Sequence, residues 1–331
     1  DLDDGIDTIG KKMTVCQLYA KQMRHRGNVR YNTKNGRKRL MKLLEEDKLG
    51  GCPIDSVKLS DAKEWAIRMK EKGISYKTIS NDKRSLKAAF YTAIQDDCIR
   101  KNPFDFQLNT VIEDDTEPKV PLTPAQEESF LSFAQNDKVY QKYYDELIIL
   151  LGTGLRISEL CGLTDTDIDF ENRIINVDHQ LLRSAETGYY IETPKTKSGI
   201  RQIPMSEKVY EAFNRVLKRR RGAKAVTIDG YSNFLFLNRD GYPKTATNYD
   251  GMFRGLAKKY NKYHEEALPK VMTPHTLRHT FCTNMANAGM NPKALQYIMG
   301  HSNITMTQGP VTGRGELRQQ ISLELFGAPP G

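Results

Sequence analysis

The stretch Glu113-Asp114-Asp115-Thr116-Glu117-Pro118 constrains the fold more than any other: four acids and a closing proline, with no apolar periodicity, inside a chain of 331 residues. Such a run cannot be threaded through a hydrophobic core, so it reads as a linker between two separately cored bodies. Just beyond it, Thr123-Pro124-Ala125-Gln126 supplies an N-cap, a proline at the first helical position and a capping-box glutamine, which opens a new helix. The length agrees with this division, since it exceeds what one core usually serves. The expected boundaries are a helical domain over 1–112, a linker over 113–121, a mixed domain over 122–307 and an atypical tail over 308–331.

Fifty Lys and Arg against 41 Asp and Glu give a net charge of +9, which favours a polyanionic partner without naming it. The distribution says more. Between Lys11 and Leu44 stand eleven Lys or Arg and no acid. A charge run is often only a solvated face, but here Tyr19, Met23, Tyr31, Leu40 and Leu43 are interleaved at helical spacings. The segment therefore folds and carries its charge on one side, as a surface lying along phosphates would.

Mean hydropathy is -0.60, and no stretch approaches the roughly 18 apolar residues of a membrane helix. The start Asp1-Leu2-Asp3-Asp4 is the opposite of a signal peptide, so a cytoplasmic address is expected. Cys16, Cys52, Cys98, Cys161 and Cys282 are an odd, scattered set without a CxxC pair. They argue against a disulfide framework or a zinc cluster and read as small buried apolar side chains.

The first hundred residues contain helix signals near 60–71 and 80–96, with the stripe Leu86, Ala89, Phe90 and Ile94 facing a core. In the second domain helices are expected near 124–135, 138–151, 157–163, 206–221, 246–263, 274–288 and 292–299. Three short antiparallel strands are expected at Arg173–Val177, Tyr189–Glu192 and Ile200–Pro204. The fold class is mainly α with a small antiparallel β-sheet.

Four elements carry chemistry. In Thr153-Gly154-Leu155-Arg156-Ile157-Ser158-Glu159-Leu160 a buried helix stops at glycine and the next begins at an arginine. Cations are disfavoured at helix N-termini, so Arg156 either pairs with a carboxylate such as Glu159 or faces an external anion. In Thr273-Pro274-His275-Thr276-Leu277-Arg278-His279 the His275 and Arg278 positions share a helix face near its start. Thr276 stands where a zinc HExxH motif needs glutamate. Gly300-His301 is a helix stop followed by a histidine, and Lys195-Thr196-Lys197-Ser198-Gly199-Ile200-Arg201 reads as a basic hairpin. Each alone is ordinary: a satisfied cap, a packing histidine, a solvated loop.

In this order and combination the chain resembles the tyrosine recombinases of the lambda-integrase type, most similar to integrases of conjugative transposons. The resemblance spans nearly the whole chain. It implies a helical core-binding domain and a mixed α/β catalytic domain closing as a C-shaped clamp on double-stranded DNA. The DNA would be transposon ends and target sites, and the reaction site-specific strand exchange that integrates and excises a mobile element. Arg156 and Arg278 would hold the non-bridging oxygens of the scissile phosphate, and Lys197 would protonate the departing 5′ oxygen, with Lys195 as the alternative. His275 would serve as acid, base or hydrogen-bond partner, and His301 would orient the phosphate or nucleophile. No cofactor and no metal is implied. Lys34, Arg37, Lys38, Lys77, Lys83, Arg84, Lys195 and Arg201 are the expected DNA contacts. Family members act as tetramers, often exchanging a C-terminal segment, for which Leu317, Ile321 and Leu325 offer an apolar stripe.

The sequence departs from the pattern at the nucleophile. Family members place a tyrosine nine residues beyond the Gly-His histidine and form a covalent 3′-phosphotyrosine. Position 310 here is proline, and no tyrosine follows Tyr297, itself read as a core residue of the preceding helix. The expectation is therefore a chain that binds DNA but does not cleave it. The alternative is a non-catalytic DNA-binding or architectural protein on a recombinase scaffold. A metal-dependent nuclease would need a carboxylate cluster that the sequence does not display.

Overall fold

The computed structural model describes residues 12–26, 29–118, 120–194, 197–220 and 226–301, with Lys197 described in its backbone only. Lys195, Pro310 and the stretch 308–331 lie outside the described residues. The chain divides into two compact units, Asp1–Pro118 and Lys119–Gly331.

The first unit is built on α1 (Val15–His25), α2 (Tyr31–Glu45), α3 (Leu59–Glu71) and α4 (Tyr76–Gln95). Thr14 caps α1 by accepting from Gln17 N while the Gln17 side chain accepts from Thr14 N. Caps of this kind contribute about 1 kcal/mol each. Ser75 caps α4, so this helix starts before the expected residue 80 and takes in Tyr76, Lys77 and Thr78. The core gathers Leu18, Leu40, Leu44, Trp65, Phe90 and Phe104, with Trp65 set edge-on to Phe104 at 5.7 Å between ring centres. Two ion pairs reach into it: Arg39 grips both oxygens of Asp82 at 2.6 and 2.7 Å, and Arg68 does the same to Asp47.

In the second unit α5 (Pro124–Asn136) opens on the Thr123–Gln126 capping box. Then come α6 (Tyr144–Thr153), α7 (Ile157–Gly162), α8 (Glu207–Arg220), α9 (Ala246–Tyr263), α10 (Pro274–Asn287) and α11 (Pro292–Met299). The 3₁₀ turn Gln141–Tyr143 delays α6 relative to the expected start near 138. Helix α6 is apolar on all sides at Leu147–Leu151 and buried accordingly, packed by α8 and α10.

The class is the expected one, mainly α with antiparallel β, but the strands form two sheets. Strands β1 (Ile168–Asp169), β2 (Ile174–Val177) and β5 (Arg201–Pro204) make one; β3 (Gln180–Ser184) and β4 (Gly188–Glu192) make the other. The expected basic hairpin is therefore corrected over its described part: Lys197 to Gly199 form a 3₁₀ turn, and β5, which follows, pairs with β2 and not with β4. The register sets Arg201 opposite Val177 and Ile203 opposite Ile175, which points Arg201 to the core face that Ile203 also occupies.

Candidate active site

Two left-handed glycines frame the site. Helix α6 ends at Gly154 (φ 63°) and α11 at Gly300 (φ 59°). A Cβ on Gly154 would meet Phe281 Cδ1 at 2.4 Å, and one on Gly300 would crowd Arg201 and Arg156 nitrogens at 3.1 and 3.3 Å. Both positions need glycine for conformation and for space.

Around the second glycine three guanidiniums close on three successive carbonyls at the end of α11. Arg201 donates Nε to Ile298 O at 2.6 Å, Arg278 donates NH2 to Met299 O, and Arg156 donates NH2 to Gly300 O at 3.0 Å. The negative end of the helix dipole makes this a favourable place for cations. Arg278 also reaches Gly154 O through NH1, so it ties the two helix ends together. Its NH2 further donates to His301 Nε2 at 3.1 Å, which makes that nitrogen an acceptor and puts the imidazole proton on Nδ1.

Glu159, 5% exposed, is the one carboxylate among these cations in the described residues. It accepts from Arg156 NH1 at 2.7 Å and from the Arg156 backbone N–H at 2.8 Å, and from Arg201 at 3.0 and 2.8 Å. Burial alone would raise its carboxyl, but hydrogen bonds and charge from Arg201, with the charge of Arg156, hold it down at about 2. Arg278, 6% exposed, is pushed down to about 9 by burial and then by Arg156, and stays charged at neutral pH. His301 falls to about 4 through burial and the charges of Arg278, Arg156 and Arg201, so it is neutral. Three guanidiniums against one carboxylate leave the pocket positive, and an entering anion would relieve their mutual repulsion. Two Arg forks beside an imidazole N–H suit the two non-bridging oxygens of a tetrahedral phosphate diester.

Of the residues singled out from the sequence, Arg156, Arg278 and His301 come together here. Lys197 enters through its backbone in the turn 197–199. His275 is exposed on the first turn of α10, one turn before the buried Arg278. Arg201 corrects the expectation most: expected among the DNA contacts, its side chain is 0% exposed and belongs to this cluster. Tyr297, expected in the core, is 50% exposed and its hydroxyl accepts from Gln202 N at 3.1 Å.

Elsewhere, Lys34 and Lys38 are exposed and Arg37 half-buried on α2, while Lys77 and Arg84 are exposed on α4. Lys83 is half-buried with its ammonium 4.5 Å above the Phe106 ring. All five cysteines are free, but only Cys98 and Cys161 are buried; Cys16, Cys52 and Cys282 are partly exposed, contrary to expectation. The sequence showed no carboxylate cluster, yet Asp167, Asp178 and His179 bring ligand-type atoms within 4.8 Å of one another. His179 already bonds Asp178 through Nδ1 and the Gly162 carbonyl through Nε2, and Asp167 caps Thr164, so this trio brackets the chain between α7 and β3.

The phage integrase family model matches residues 121–309, more than half of the chain and ending one residue before Pro310. The transposase from transposon Tn916 of Enterococcus faecalis is 68% identical over 307 residues, covering 93% of this chain and 76% of that protein. The Tn1549 transposon integrase (residues 82–397, an Arg-to-Lys variant), solved in complex with a circular intermediate DNA, is 78% identical with a TM-score of 0.87. That match covers 89% of this chain and 93% of the solved one. A lambda integrase dimer bound to a core site is 15% identical with a TM-score of 0.61 over 93% of this chain and 79% of that one, a likeness of fold alone. Among the described residues no helix is long and apolar enough to cross a membrane. With a matching family model over more than half its length and a relative this similar over nearly all of it, the chain belongs to the phage integrase family of tyrosine recombinases.

Proposed function

We infer that this chain is a site-specific recombinase of a mobile element, acting on double-stranded DNA at transposon ends and target sites, with its phosphate pocket intact and its usual nucleophile replaced. One observation carries the reading: Arg156 and Arg278 are anchored on adjacent carbonyls, Gly300 O and Met299 O, so that two guanidiniums and His301 face one small volume. Bonds to Glu159 and Gly300 leave Arg156 its Nε–H and one hydrogen on each terminal nitrogen for the non-bridging oxygens. The pair is preorganised for the added negative charge of a five-coordinate phosphorus. Lys197, on the turn that joins the two sheets, would give a proton to the departing 5′ oxygen, with Lys195 as its alternative. His275 would assist proton movement from the rim, and neutral His301 would donate from Nδ1.

The family's chemistry then needs a tyrosine oxygen to displace the 5′ oxygen and hold the 3′ phosphate until the 5′ hydroxyl returns. Proline has no oxygen to offer. The spacing between the arginine and the tyrosine substituted in the Tn1549 integrase structures, counted from Arg156, ends on Pro310. The inferred behaviour is DNA binding and assembly without cleavage, on four protomers bridging two duplexes, with the Leu317, Ile321 and Leu325 stripe as the exchanged segment. Such a protein works in the cytoplasm, beside the DNA it joins.

Incubation with a nicked suicide duplex followed by a denaturing gel tests the reading. This chain should retard the duplex in a native gel and give no covalent adduct, whereas Pro310→Tyr should give one. An adduct from the unsubstituted chain would overturn the assignment of the missing nucleophile. Failure of both proteins to bind the duplex would overturn the recombinase reading itself.

A further inference from the structure

Arg201 has no part in the roles just assigned, yet it is the most completely enclosed charge of the site, with a side-chain exposure of 0%. Its bonds run to three separate pieces of the pocket. Nε holds Ile298 O at the end of α11, NH1 holds Gly199 O in the turn that begins at Lys197, and NH1 and NH2 together hold both oxygens of Glu159. These pieces come from distant parts of the sequence; Arg156 also joins Glu159 to the end of α11 through Gly300 O, and Arg201 adds the turn at Gly199 to that link.

The electrostatics give the bridge a second consequence. Glu159 sits 2.7 Å from Arg156 NH1, and by itself it would cancel the charge that Arg156 brings to an anion. Arg201 is a second, fully buried counter-ion on the same carboxylate. It satisfies Glu159 from the inner side, so that the net charge facing the pocket mouth remains that of Arg156 and Arg278. A lysine could supply the charge but not the fork: one ammonium cannot span both carboxylate oxygens, Ile298 O and Gly199 O at once.

We propose that Arg201 is a positioning residue of the phosphate pocket, which fixes the Lys197 turn to the end of α11 and frees the charge of Arg156 by sharing Glu159. The role rests on the inferred reading of Arg156 and Arg278 as phosphate ligands. Arg201 itself touches no substrate.

The test needs no cleavage. A transposon right-end duplex is prepared with all phosphates intact, and again with a neutral methylphosphonate walked along each strand, and Kd is measured for each. The unsubstituted chain should lose about tenfold in affinity at one phosphate per strand. Arg201→Lys should cut that loss to less than about threefold while remaining folded by circular dichroism. Arg201→Gln, which loses both the charge and the fork that satisfy Glu159, provides a second variant should the lysine protein not fold, and it should likewise lower the discrimination. Arg173→Lys, an exposed arginine paired with Glu207 at 2.5 Å, should keep the tenfold ratio. A variant that melts earlier but keeps the tenfold ratio would reduce Arg201 to a fold-stabilising residue and sink the proposal. A ratio near one in the unsubstituted chain would sink the phosphate reading together with this role, so the two failures are told apart.

Discussion

In the first unit Lys34, Lys77 and Arg84 stand exposed on helix surfaces, whereas in the second Arg201 and Arg278 are drawn under the surface and bonded to carbonyls before any ligand arrives. Exposed cations keep their hydration and their rotamer freedom, and each acts on a phosphate nearly independently of its neighbours. On the inferred reading they would contribute affinity that any duplex can exploit and that salt removes. The buried set has already given up water and freedom on folding, and its members share partners. Such groups contribute orientation, and losing one leaves others unpaired. The difference teaches that a formal charge of +9 is two quantities: a diffuse one for attraction and a fixed one for chemistry.

The sharpest way to break that contrast is Glu159→Ala. It strands Arg201 without a counter-ion at full burial and removes the backbone cap on Arg156. Deleting one partner of a buried pair costs about 3–5 kcal/mol. The measurement is urea denaturation against the unsubstituted chain. A loss no larger than that of an exposed pair such as Lys42 with Glu46, at 3.8 Å and worth under about 1 kcal/mol, would erase the distinction between the two kinds of charge.

A smaller effect is expected from pH. His301 titrates near 6.5 when unfolded and about 4 when folded, so the folded state binds fewer protons in that interval. Its contribution is therefore complete above about pH 6.5 and declines as the pH falls to about 4, where it levels off. Below that, the loss from Glu159 follows, between 4.5 and about 2. His301→Gln should flatten the stability curve between pH 6.5 and 4 by roughly 1–2 kcal/mol, less than the full linkage value because the ring is only half-buried. Parallel curves for the two proteins would mean that the imidazole does not feel the guanidiniums.

What the sequence disclosed of this site followed residue chemistry, and what it hid followed packing. Arg156 announced itself by standing at a helix start, where a cation needs an excuse; Glu159, three residues on, is that excuse. Gly154 and Gly300 were visible as helix stops. Arg201 was obscured because arginine in a lysine-rich segment reads as surface. Yet it lies two residues before Ile203, and alternation along a strand already placed it on the buried side. The two-sheet arrangement was beyond reach, since β1 has only two residues and the pairing of β2 with β5 skips over β3 and β4. Helix α4 began early because Ser75 caps it, a signal the apolar stripe further along outweighed.

The mildest substitution returns to the first unit. Lys34 is exposed on α2, so Lys34→Ala should leave urea stability unchanged within about 0.5 kcal/mol. Its effect belongs to binding alone. If Lys34 releases one condensed counterion on meeting a phosphate, the slope of log K against log salt should become shallower by about 0.9, equally for a transposon-end duplex and for an unrelated one. Lys83, half-buried with its ammonium over the Phe106 ring, should change the slope less, because that ammonium is already partly withdrawn from solvent. A Lys34 variant that lost affinity for one sequence only would show that an exposed charge can select as well as attract. The division of labour between the two units would then have to be redrawn around base contacts in the first.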